Sequence, residues 1–174
     1  MELTTERLHL RPFTDADRIA IHAVYADPEV MRHVGHGAHR TVAETTAALK
    51  VYGEVLERSG FSFLAVVERA GGALIGDAGL YPLGEDIELG YTLARRAWGR
   101  GYATELGRAL LAYAFDELDA ARVVAQVEPA NTASRHVLEK LGMKEVEVRT
   151  AYGRPHLLYE AKRPAARRGS SPRP

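Results

Sequence analysis

No cysteine occurs in the 174-residue chain. Disulfides, thiolate catalysis and cysteine-based metal sites are thereby excluded. No uninterrupted apolar run approaches the ~20 residues that span a bilayer. The first residues, Met-Glu-Leu-Thr-Thr-Glu-Arg, are charged from the second onward and hold no signal-peptide core. A cytoplasmic location is the expectation. No G-x-x-x-x-G-K-[ST] phosphate loop is present. An excess of either charge is also missing, with 23 basic residues against 23 acidic. The balance is uneven along the chain. Residues 162–174 hold five basic residues and no acid, which leaves residues 1–161 at −5. A mildly acidic body argues against nucleic acid as the main ligand. The segment 163–174 has the composition of a disordered tail.

What remains is ordinary globular material, 46% hydrophobic and 26% charged, enough for one domain with a sizeable core. Leu8, Leu10 and Phe13 mark a strand over 6–13. Thr14 opens a helix with Asp17 at the third position, and Ile19, Ala20, Ala23 and Val24 form its apolar stripe. Asp27-Pro28 ends it, and Glu29 to Val34 forms a further short turn. A Gly/His loop follows, and Thr41 with Glu44 caps a long helix to Arg58. The period then shortens to that of strands: 61–68, a Gly71-Gly72 turn, 73–80 and 87–93. A helix over 102–118, a strand over 122–127 and a helix over 131–141 come next, the last stopped by Gly142. Strands at 143–150 and 156–161 close the chain. The order is that of one α/β domain, with no internal repeat or linker.

The most informative segment is 95–104, Arg-Arg-Ala-Trp-Gly-Arg-Gly-Tyr-Ala-Thr, between a strand and a helix. A glycine-rich turn there gathers backbone N–H groups, and the helix adds its positive end, which suits a pyrophosphate. Gly99 and Gly101 allow close approach of such a ligand. A Rossmann turn would need a third glycine where Thr104 stands. Read as R-x-x-G-x-G/A on Arg96, Gly99 and Gly101, followed by Tyr102 and Ala103, the loop resembles the acyl-CoA pyrophosphate loop of the GNAT N-acetyltransferase superfamily. Three features in order support the likeness: Glu88-Leu89-Gly90-Tyr91 on the preceding strand, Asn131 and Ser134 at the next helix start, and Asp27-Pro28-Glu29-Val30-Met31 upstream. Together they resemble the branch that includes the ribosomal-protein N-terminal acetyltransferases, of RimJ/RimL type, over residues 3–162.

That resemblance implies an α/β (α+β) fold whose mixed, mostly antiparallel central sheet is splayed in a V, with helices on both faces. It implies acetyl-CoA as cosubstrate; no metal is expected. Pantetheine would pair with the strand edge at Tyr91, Thr92 and Leu93. The pyrophosphate would rest on N–H groups from Ala97 to Ala103, with side-chain help from Arg96 and Arg100, while Trp98 packs over the loop. Asn131 caps its helix and is also placed to meet a pantetheine amide. Ser134 would stabilise or protonate the departing thiolate. Many GNAT enzymes carry a tyrosine acid where Leu138 stands here.

Only the neutral form of an amine attacks a thioester, so the reaction needs a base near the acceptor. Glu88 fits by its strand position, and a backbone N–H near Leu93 would meet the oxyanion. No acyl-enzyme is expected, since the chain has no cysteine and no convincing Ser-His-Asp arrangement. His33, His36 and His39 recur every third residue, and imidazoles bind zinc well, but no acid or cysteine completes the set. His33, His36 and Tyr152 instead read as walls of the acceptor site, with His156 and Tyr159 as further candidates. The acceptor is a primary amine, either a protein N-terminus or a small molecule. No nucleic-acid or membrane partner is expected, and monomer and homodimer both stay open. Two other readings stand beside this one: an acyl-CoA-binding sensor or partner module without turnover, and an unrelated nucleotide-binding α/β protein.

Overall fold

The computed structural model describes residues 1–39 and 41–164. Most of the 163–174 tail therefore lies outside the described residues. The elements are β1 (Leu3–Thr4), β2 (Leu8–Arg11), α1 (Arg18–Tyr25), α2 (Pro28–Met31), α3 (Val42–Ser59), β3 (Phe63–Glu68), β4 (Leu74–Leu83), β5 (Asp86–Leu93), α4 (Tyr102–Asp116), β6 (Arg122–Val127), α5 (Thr132–Lys140), β7 (Lys144–Ala151) and β8 (Arg154–Lys162). Eight strands form one sheet in the order β1-β2-β3-β4-β5-β6-β8-β7. Neighbours are antiparallel except β5 and β6, which run parallel.

Local chemistry sets most boundaries. The Asp17 carboxylate accepts from the Thr14 N–H at 2.7 Å and from its hydroxyl at 2.8 Å, fixing the turn before α1. Asp27 caps α2 and Pro28 occupies its first position. Thr41 and Glu44 form the reciprocal box at the start of α3, and Gly60, at φ +78°, ends it. The α1 stripe departs from the sequence reading: Ile21, Val24 and Tyr25 are buried, while Ile19 is 70% exposed. The helix begins later than Thr14, behind a 3-10 turn at Asp15–Asp17. That delay rotates the buried face. The two-residue β1 carries too short a pattern to register in the sequence.

The sheet separates two cores. Leu64, Val66, Leu80 and Leu89 face α4 through Leu106 and Leu110. Ala65 and Leu74 face α1 and α2 through Ile21, Val24 and Met31. Beyond β6, α5 covers Ala125 and Val127 with Leu138.

Gly76 sits where β4 meets the end of β5, paired with Leu93. Its φ is +150°, and a Cβ there would lie 2.0 Å from the Thr92 carbonyl oxygen. That backbone cannot yield without moving β5, the strand that carries the site. Gly76→Ala is therefore expected to cost about 3 kcal/mol through clash and strain. Thermal unfolding checks this, with a fall in Tm of about 10 °C expected for a domain of this size.

Candidate active site

The parallel pairing of β5 with β6 extends only over Ile87–Val123 and Glu88–Val124. β5 stays paired with β4 as far as Leu93. From Leu89 onward the other edge of β5 parts from β6, and the sheet opens as a V. Its mouth leads into the 95–104 loop. A 3-10 turn at Arg95–Ala97 uses two amides: Ala97 N–H donates to the Ala94 carbonyl at 2.8 Å and Trp98 N–H to the Arg95 carbonyl at 3.0 Å. Gly99 and Gly101 then take left-handed φ of +72° and +79°, conformations a side chain resists. Glu105 is the first amide of α4 to bond back, to the Gly101 carbonyl at 3.1 Å. Between Gly99 and Thr104 the backbone N–H groups find no partner among the described residues.

The loop is braced from outside. Arg7 donates to the Arg100 carbonyl at 2.8 Å and grips Glu105, which also accepts from the Thr5 hydroxyl. The cations of the loop are engaged with the protein. Arg95 pairs with Asp27 at 3.0 Å. Arg96 donates to the Leu74 carbonyl at 2.6 Å, and Arg100 to Glu68 at 2.7 Å. Glu68 also accepts from the buried Tyr102 hydroxyl at 2.7 Å. The sequence reading directed the Arg96 and Arg100 side chains to phosphate and counted the Ala97 amide. In the structure the Arg96 and Arg100 guanidiniums and the Ala97 amide each have a partner within the protein. The free amides run from Gly99 to Thr104. Trp98 is 48% exposed, and its indole N–H donates to the Leu93 carbonyl at 2.7 Å.

Two cavities meet at the V. The first, of 460 Å³, lies against the loop and is lined by Leu93, Gly99, Gly101, Ala103, Asn131 and Lys140, among others. The second, of 660 Å³, lies on the far side, with Glu88, Asp77, Tyr81, His36 and Tyr152 in its wall. His33, Val34, Tyr91, Thr92 and Ser134 line both. Asn131 caps α5, its side-chain oxygen accepting from the Ser134 N–H at 3.2 Å. The side-chain amide is left to donate elsewhere. Ser134 faces the junction from α5, and Leu138, one turn on, is buried against β6. The Tyr91 hydroxyl is buried and makes no hydrogen bond of ordinary length. Burial raises its pKa, and the neighbouring Ser134 acts the other way.

Glu88 points into the second cavity and accepts from Gln126 Nε2 at 3.1 Å. Burial raises its pKa, and the Gln126 hydrogen bond opposes the rise. The three histidines diverge. His33 meets Glu128 at 2.7 Å, His39 meets Thr45 at 3.0 Å, and His36 stands edge-on to Tyr152 with centroids 5.2 Å apart. His33, His36 and Tyr152 thus do line the second cavity, and His156 joins them.

Asp77 is a site residue that the sequence reading missed. It is 3% exposed, lines the same cavity and accepts from the Tyr25 hydroxyl at 2.8 Å. Burial pushes its pKa up to about 7 against the hydrogen bonds of Tyr25 and Thr92. The only sequence signal was a lone acid within an otherwise apolar strand, 74–80. His136 and Lys140, one turn apart on α5, also line the first cavity and went unread.

Residues 7–144 match the Acetyltransferase (GNAT) domain family. The chain belongs to the GNAT acetyltransferase family. It is therefore an N-acetyltransferase by family, a class that draws its acetyl group from acetyl-CoA. Among its relatives is the uncharacterized protein YkkB of Bacillus subtilis (strain 168), 30% identical over 92% of this chain and 95% of that one. Another is the uncharacterized N-acetyltransferase YnaD of the same organism, 30% identical over 83% of each chain. The fold is shared with RimL, a ribosomal L7/L12 alpha-N-protein acetyltransferase solved in complex with coenzyme A. There the TM-score is 0.79 at 15% identity, covering 93% of this chain and 98% of that one. The splayed, mostly antiparallel sheet expected from the GNAT resemblance is the sheet observed.

Proposed function

We propose that the chain transfers acetyl from acetyl-CoA to a primary amine by direct attack, with both substrates bound at once. One observation carries this reading: the two cavities meet where β5 leaves β6, so donor and acceptor can approach from opposite sides. The free amides from Gly99 to Thr104, with the positive end of α4, suit a pyrophosphate. The edge of β5 beyond Glu88, left open by β6 except where the Leu93 carbonyl accepts from Trp98, suits the amides of pantetheine, with the Asn131 side-chain amide opposite. Glu88 takes the proton of the incoming ammonium, and its raised pKa makes it a better base than a solvated glutamate. The amine lone pair forms the bond to the carbonyl carbon, and the oxyanion meets a backbone N–H of the β5 edge. When the carbon–sulfur bond breaks, its electron pair stays on sulfur; the nitrogen sheds its second proton as the amide forms, and the Ser134 hydroxyl lies at the junction to relay it to the thiolate.

Thermal shift with acetyl-CoA, CoA, ATP and NAD side by side tests the donor site. A ligand near a hundred times its Kd adds about 2.7 kcal/mol. Stabilisation by the two CoA species alone is expected. Equal stabilisation by ATP or NAD would remove the acyl-CoA assignment.

A further inference from the structure

The second cavity narrows the choice of acceptor amine. Its floor is one face of β4 and β5. The register pairs Asp77 with Thr92, Gly79 with Gly90, and Tyr81 with Glu88, so Asp77 and Glu88 share that face at opposite ends. Thr92 and Glu88 lie four residue steps apart along the strand, which is about 13 Å. An aromatic floor fills the interval. The Phe63 and Tyr81 rings stack at 5.3 Å with 15° between planes, and Tyr52 meets Phe63 edge-on at 5.3 Å. Gly90 makes room for this floor, since a Cβ there would lie 2.9 Å from the Phe63 ring.

Asp77 is a buried carboxyl with no ion-pair partner among the described residues. Its hydrogen-bonding neighbours, Tyr25 and Thr92, are neutral. A carboxyl in that position is stabilised by a cation that the protein does not provide. Aromatic faces between two carboxyl groups attract ammonium groups and cover methylene chains.

The outer wall bears on size. Arg154, at the start of β8, donates to the Gly35 carbonyl at 2.7 Å and pairs with Glu128 at 2.5 Å. Glu128 also holds His33, and His36 meets Tyr152. The 33–37 loop is thus tied to the β7–β8 turn across the cavity, and a polypeptide running out through that side would have to break these contacts. The volume of 660 Å³ suits a small molecule.

We infer, resting on the acetyltransferase reading, that the acceptor is a small linear di- or polyamine, with one nitrogen delivered to Glu88 and a second held against Asp77. A folded protein's N-terminus supplies one ammonium and cannot reach both ends.

The test is titration calorimetry on the full chain saturated with CoA, so that no turnover intervenes. The probes are spermidine, n-octylamine and a short peptide with a free alanine N-terminus. Spermidine is expected to bind at least about tenfold more tightly than either of the others, because only it fills both ends. Asp77→Asn is expected to bring the spermidine-to-octylamine ratio close to one. Equal binding of spermidine and octylamine by the unsubstituted protein, or tighter binding of the peptide, overturns the inference even if Asp77→Asn does not fold. A ratio unchanged by folded Asp77→Asn overturns it as well. Acetylation assays with the same amines separate the two claims. Selective spermidine binding without acetylation would sink the transferase reading and leave only a two-ended polyamine site. Equal acetylation of spermidine and octylamine, with equal binding, would do the reverse.

Discussion

Replacing Glu88 with Gln is expected to lower kcat at pH 7 by at least about a hundredfold, the usual loss when a general base is removed. The substitution keeps shape and can still meet Gln126 across the former 3.1 Å contact, so folding and acetyl-CoA affinity should hold. The pH profile carries the sharper test. In the native protein the rate falls on the acid side as Glu88 is protonated. Because burial raises its pKa, that limb begins at higher pH than for a solvated glutamate. The Gln variant lacks this limb. Its rate climbs only as the acceptor amine, with a pKa of about 8–10, loses its own proton. Activity should therefore recover partly at high pH. A variant that keeps the native acid limb would remove Glu88 from the chemistry.

Gly101→Asp is expected to weaken acetyl-CoA binding by about a hundredfold. The backbone at Gly101 holds φ +79°, a conformation that aspartate and asparagine tolerate better than other side chains. The new carboxylate also stands among the free amides, where the pyrophosphate is proposed to lie. An aspartate at a helix start ordinarily stabilises the helix, so α4 should survive. Gly101→Asn separates the terms. It tolerates the left-handed backbone and carries no charge, so it should lose much less affinity. Calorimetric titration with acetyl-CoA measures both. Unchanged affinity in Gly101→Asp would place the pyrophosphate elsewhere.

The chain order of elements was legible in the sequence because their signals are local. The Thr41/Glu44 box, the Gly71-Gly72 turn and the Gly142 stop each act within a few residues. The 95–104 loop stood out for the same reason; Glu88 lines one cavity, Asn131 the other, and Ser134 both. What stayed hidden depends on partners distant in sequence. Whether Arg96 reaches outward or back to Leu74, 22 residues earlier, is decided by sheet packing. Arg100 meets Glu68 across 32 residues in the same way. Asp77 acquires its place only through the register, which sets it opposite Thr92 and beneath Tyr25. The α1 face was misread by part of a turn, because a 3-10 start shifts the helical phase without changing composition.

The most direct test of acetyl transfer is mass spectrometry of one reaction. The full chain is incubated with acetyl-CoA and spermidine, and both the amine and the intact protein are weighed. Direct attack predicts N-acetylspermidine, an equal yield of free CoA and a protein of unchanged mass. An acetyl group left on the protein would contradict direct attack. Bound acetyl-CoA with no product from spermidine or any other primary amine would contradict the enzyme itself, leaving a module that binds its ligand without turning it over.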